Sequence, residues 1–126
     1  MKSSKDPRHL HRIRLMRSLF AKSLSSASQN PEIDPIVAKL DQIDAKITLY
    51  APKWPINQIN KIDLAILRLS IWELHYETQT PPKVIIDEAV EMAKTFGNDA
   101  SPGFINGVLG AVLKQLSNPH ESTPTS

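Results

Sequence analysis

The densest group of chemically useful side chains lies near the N-terminus, where Arg8, His9, His11, Arg12 and Arg14 fall within one short stretch. A planar guanidinium bonds phosphate at two points and stacks on a base, so arginines one helical turn apart suit a polyanionic strand. Histidines bring ring donors, and a full charge only when protonated. Arg8 and Arg12 share a helical face, with Lys22 further along. From Met1 to Lys22 the chain holds seven Lys and Arg against the single acid Asp6, and the remainder holds 8 basic and 12 acidic side chains. Such segregation under a net charge of only +2 suits either a polyanion partner or a solvated basic helix start.

Other chemistries lack their residues. With no cysteine there is no thiol nucleophile, disulfide or thiolate metal site. His9 and His11 are two apart, hence on different helix faces, and His75 and His120 are scattered. Asp87, Glu88 and Glu91 cluster near a helix start and read as a solvated face. No glycine-rich loop fits a phosphate cradle. Neither an enzyme active site nor a metal or cofactor is therefore expected. A basic track for single-stranded nucleic acid also needs a flat side chain, and Phe104 offers one at a helix start, with burial in the core as the alternative.

The elements that carry these residues read as helices, giving an all-α, compact helical bundle of about five main helices. The first follows Asp6-Pro7, a cap and N1 pair, and spans 7–25. Its stripe is Leu10, Ile13, Met16, Phe20 and Leu24, interrupted by Leu15 and Leu19, and this phase leaves Arg8 and Arg12 facing outward. A second helix follows Asp34-Pro35, carries Ile36, Leu40, Ile43, Ile47 and Tyr50 inward, and ends at Ala51-Pro52. The third, from about Ile56 to Glu77, is apolar all round and should be central, with Arg68 paired to Glu73 or laid on Trp72. The fourth, from about Pro82 to Phe96, buries Ile86, Ala89, Val90 and Ala93 and stops at Gly97. The fifth starts at Ser101-Pro102 with Ile105, Val108, Leu109, Val112 and Leu116 inward, and its glycines, Gly107 above all, predict a close helix–helix approach. Residues 1–117 form one domain, and 118–126, with Pro119 and Pro124, form a disordered tail. The polar N-terminus lacks a secretory h-region and no apolar run reaches the ~20 residues of a membrane span, which points to the cytoplasm.

Three stretches taken together resemble the NusB family. They are Arg8-His9-Leu10-His11-Arg12 leading to Leu19-Phe20; Ala51-Pro52-Lys53-Trp54 with Ile59, Asp63 and the run from Ala65 to Leu74; and the run from Pro82 to Gly97 followed by Phe104-Ile105-Asn106-Gly107-Val108-Leu109. The resemblance implies two packed helical bundles and a transcription antitermination role. In that role boxA-type single-stranded RNA is bound, with ribosomal protein NusE, in an RNA polymerase antitermination complex. By position it implies that Arg8, His9 and Arg12 contact RNA, to which the local reading adds His11, Arg14 and Phe104. Between the first helix and Ala51-Pro52 the family usually holds more sequence, so the N-terminal half is shortened here. A protein-interaction module without RNA binding is the alternative, as is a detached relative of the NusB-like domains that precede ribosomal RNA methyltransferases.

Overall fold

Capping side chains and prolines set where the helices start. The structure, a computed structural model, describes residues 6–25, 30–51 and 53–118. Among these are six α-helices: α1 (Pro7–Leu24), α2 (Asp34–Val37), α3 (Leu40–Tyr50), α4 (Lys61–Tyr76), α5 (Pro82–Phe96) and α6 (Ser101–Ser117). A 3₁₀ turn, Ile56–Gln58, precedes α4, and no strand occurs among the described residues. The Asp6 carboxylate accepts the Arg8 N–H at 2.8 Å to cap α1, and Asn60 accepts from Ile62 and Asp63 to cap α4. Proline occupies the first turn of α1, α2, α5 and α6, where a missing N–H costs nothing. None of the helices searched is long and apolar enough to cross a membrane.

The all-α expectation stands, with six helices in place of about five. The segment after Asp34-Pro35 breaks at Ala38 and Lys39, where the Lys39 N–H reaches the Ile36 carbonyl at 3.0 Å instead of continuing the α pattern. Both pieces still bury their isoleucines, Ile36 in α2 and Ile43 and Ile47 in α3. The expected tail from Pro119 onward lies outside the described residues.

Helix α4 is the centre, in contact with α1, α2, α3, α5 and α6. Leu64, Ala65, Ile66, Leu67, Leu69 and Ile71 are all buried, so every side of the helix meets a neighbour. Arg68, the cation within this stretch, pairs with neither Glu73 nor Trp72. It reaches Asp44 of α3 through two hydrogen bonds of 3.0 and 2.9 Å, which ties α3 to α4.

Helix α1 turns a different face inward from the one its apolar spacing suggested. Arg12, Leu15, Met16 and Leu19 are buried, whereas Leu10 is 47% and Leu24 61% exposed. The two leucines expected to interrupt the stripe are its middle, and Ile13 and Phe20 pack from the flank. This phase lays Leu15, Met16 and Leu19 toward α4 and carries Arg12 inward with them.

The glycine expectation is also corrected. A Cβ built at Gly103, Gly107 or Gly110 meets nothing within 4 Å, so α6 makes no close backbone approach there. The crowded glycine is Gly97, where a Cβ would lie 2.4 Å from Ser101 Oγ and 2.6 Å from Ser101 Cβ. Ser101 is fully buried and its hydroxyl accepts the Asn98 N–H at 2.9 Å, so it holds the α5–α6 turn against Gly97. Leu116, expected inward, is 37% exposed at the end of α6.

Candidate nucleic-acid interface

The first turn of α1 presents Arg8 to solvent. Its guanidinium bonds the capping Asp6 at 3.3 and 3.2 Å, yet the side chain stays 81% exposed. Hydrogen bonds from the Arg8 guanidinium and backbone N–H hold the Asp6 carboxyl down at about 2. One turn on, Arg12 is enclosed. Its Nε donates to both Glu73 oxygens at 3.1 and 3.0 Å, and its terminal nitrogens lie 2.9 Å from Glu73 and 3.2 Å from Glu88. Glu73 and Glu88 are 6% and 1% exposed, so two buried carboxylates face one buried guanidinium. His9 closes the group, with Nδ1 at 3.2 Å from the second Glu88 oxygen. Burial pushes the Glu73 carboxyl above its ordinary value, and the Arg12 hydrogen bonds pull the other way.

This cluster corrects the picture of Arg8 and Arg12 lying side by side on one strand. An arginine 8% exposed and bonded to two carboxylates cannot offer its fork to phosphate in this conformation. It clamps α1 to α4 and α5 instead, because Glu73 and Glu88 come from those two helices.

The remaining cations form an outer edge. Arg14 is 57% exposed and binds Glu32 through Nε at 3.2 and 3.1 Å and through a terminal nitrogen at 2.7 Å. The same guanidinium lies 2.8 Å from His11 Nδ1, which brings His11 and Arg14 together on the exposed side. Arg17 stands 5.2 Å over the Phe96 ring, a cation–π contact toward the end of α5. Phe104 is partly buried and packed on the core, in a separate cleft with Trp54, Asn60, Asp63 and Asn98 that no α1 residue lines. The structure thus joins His9 to Arg12 and His11 to Arg14, leaves Arg8 on its own cap, and sets Phe104 apart.

Of the acids that organise this surface, the sequence reading does not single out Glu32, offers Glu73 as a partner for Arg68 and places Glu88 on a solvated face, whereas Glu88 is buried and bonded to Arg12. A readable signal existed for Glu73, since it sits inside an apolar helical run. A carboxylate in such a run needs a cation, and an arginine among the leucines of α1 was the natural candidate.

Residues 32–114 match the NusB family model. The transcription antitermination protein NusB of Dehalococcoides mccartyi is 47% identical over 83 residues, which cover 66% of this chain and 58% of that protein. That of Clostridium novyi is 42% identical over 85 residues, covering 68% and 64%. The chain therefore spans less than two thirds of the length of these curated relatives. In three dimensions it superposes on T. maritima NusB with a TM-score of 0.81 at 30% identity, covering 88% of this chain and 93% of that one. A chain from the crystal structure of a plectonemic RNA supercoil has the same fold, with a TM-score of 0.80 at 20% identity over 88% of this chain and 96% of that one. The matched segment contains α2 to α5 and nearly all of α6, including the central helix and both carboxylates that clamp α1, and with the superposed fold it fixes the ancestry: the chain belongs to the NusB family.

Proposed function

We propose that this chain is an RNA-binding antitermination factor, not an enzyme, that takes boxA-type single-stranded RNA together with ribosomal protein NusE in a cytoplasmic RNA polymerase antitermination complex. The observation that carries the reading is the exposed cationic edge of α1, with Arg8 at 81% exposure and His11 and Arg14 beside it. An exposed arginine exchanges a solvated carboxylate partner for a phosphate at little cost, because such pairs are worth only about 0–1 kcal/mol. Arg8, His11 and Arg14 are thus the direct phosphate ligands of this reading. Arg12 and His9 contribute from behind, by fixing the helix that presents them. Phe104 belongs to a second contact region, where a base would stack on the ring beside Trp54.

A rival reading, a module that binds only protein, is favoured by one observation. Asp6, Glu32, Glu73 and Glu88 already face most of the basic cluster. Fluorescence titration of boxA-type RNA against a scrambled strand, with and without NusE, separates the two. The RNA reading expects preferential boxA binding that NusE strengthens. Equal failure of both strands in the presence of NusE would leave the protein-only module.

A further inference from the structure

Where the first turn of α1 meets the last turns of α4, a cleft of about 350 Å³ opens, lined by Arg8, His11, Leu15, Trp72, Glu77 and Thr80 among others. Its walls differ in chemistry. Trp72 supplies a flat apolar wall and is held in place, since it is partly buried against the core and stands 6.2 Å from Tyr76, one turn on. Tyr76 is 44% exposed, with Lys39 Nζ 5.5 Å from its ring, so the aromatic strip ends on a cation. Arg8 and His11 stand at the α1 rim, both exposed. Arg12 and Glu73 also line the cleft but are engaged with each other at 2.9 Å. Glu77 is the carboxylate that distinguishes the site. One of its oxygens accepts the Gln79 N–H at 2.9 Å, which orients the group, and a carboxylate accepts up to about four hydrogen bonds.

A rigid aromatic wall, an oriented acceptor with capacity beyond its one bond from Gln79, and an exposed cation at the rim together describe a nucleotide of a single strand. Unpaired bases are recognised by stacking and by hydrogen bonds to their edges, while arginine holds the adjoining phosphate. Guanine places two N–H donors side by side on its Watson–Crick edge and matches the two oxygens of a carboxylate. Uracil sets one N–H between two carbonyls, which a carboxylate repels. We propose that this cleft takes one splayed-out guanine of single-stranded RNA, stacked on Trp72, with its Watson–Crick edge on Glu77 and its phosphate at Arg8. The inference rests on the RNA-binding reading and adds to it a base-selective site beside the basic cluster.

The chain has two tryptophans, so Trp54→Phe leaves Trp72 as the only indole, read by excitation beyond the tyrosine band. The probes are a short oligouridylate with one central guanosine, the same strand with inosine there, and the all-uridine strand. The guanosine strand should quench Trp72 and bind about tenfold more tightly than the all-uridine strand, with inosine between them. Glu77→Gln, checked for fold by circular dichroism, should abolish that ranking while leaving the Arg8-dependent part of binding. Unchanged Trp72 emission, or a ranking that survives Glu77→Gln, overturns the guanine site even where boxA-type RNA still binds. Failure of boxA-type RNA to bind at all removes the underlying reading as well. Quenching by an arginine-bearing peptide and by none of the RNA strands would assign the cleft to a protein partner instead.

Discussion

Replacing Arg12 with methionine removes the guanidinium and keeps most of its apolar stem, so the loss isolates the charge. Glu73 and Glu88, 6% and 1% exposed, are then left in one buried site with the partly buried His9. Protonating one carboxyl to relieve this at pH 7 takes roughly 3–4 kcal/mol for a group of ordinary glutamate pKa. Breaking a buried ion pair by deleting one partner typically costs about 3–5 kcal/mol, so two independent routes agree. Arg12→Met should therefore lose about 3–4 kcal/mol at pH 7. Because the penalty is a protonation cost, it should fall by about 1.4 kcal/mol for each unit of pH, to roughly 1–2 kcal/mol near pH 5.5. Adding Glu73→Gln and Glu88→Gln to Arg12→Met should restore most of the loss, since no buried anion then remains. Urea unfolding followed by the helical circular dichroism signal reads these changes as shifts in midpoint at constant slope. A loss below about 1 kcal/mol at pH 7, or one that does not change with pH, would refute the clamp.

Three further outcomes follow from the packing. Leu67, fully buried in α4, should cost about 2–5 kcal/mol on truncation to alanine in the same assay, and a loss below about 1 kcal/mol would make α4 peripheral. Gly97→Ala should destabilise because its Cβ meets Ser101 at 2.4 Å, whereas Gly107→Ala, in open space, should stabilise by about 1 kcal/mol; melting temperatures ranked the other way contradict both. Burial, helped by Lys46, pushes His75 below its ordinary 6.5, so the unfolded chain binds the proton more readily and stability should rise as pH climbs to 6.5. His75→Gln should flatten that rise, and an unchanged pH profile would show that His75 does not contribute.

Much of the architecture was legible because single residues left little choice. Apolar side chains at nearly every position from Leu64 to Leu74 required a central helix, and Asp6-Pro7 could only open one. The rotation of α1 was not legible, because two stripes satisfy helical spacing. The choice between Leu10-Ile13-Met16-Phe20 and Arg12-Leu15-Met16-Leu19 is settled by Glu73 and Glu88, 61 and 76 residues away. Periodicity measures the helix alone and carries no term for a distant carboxylate. The same limit misplaced Gly107, since low helix propensity gives no indication of what stands opposite. The break at Ala38 and Lys39 has neither glycine nor proline to mark it. At the candidate site the cations were readable as types and positions, but their division into one enclosed arginine and an exposed edge depended on acids from three other parts of the chain.

The most direct test of the account is the salt dependence of boxA-type RNA binding to the wild-type chain, to Arg8→Ala and to Arg12→Met, each confirmed folded under the buffer used. Each phosphate contact on a single strand contributes about 0.7 to the slope of log affinity against log salt. The exposed edge of α1 predicts that Arg8→Ala lowers the slope by about 0.7, and that folded Arg12→Met leaves it unchanged. An unchanged slope and affinity for Arg8→Ala, or a loss of slope confined to Arg12→Met, would contradict it.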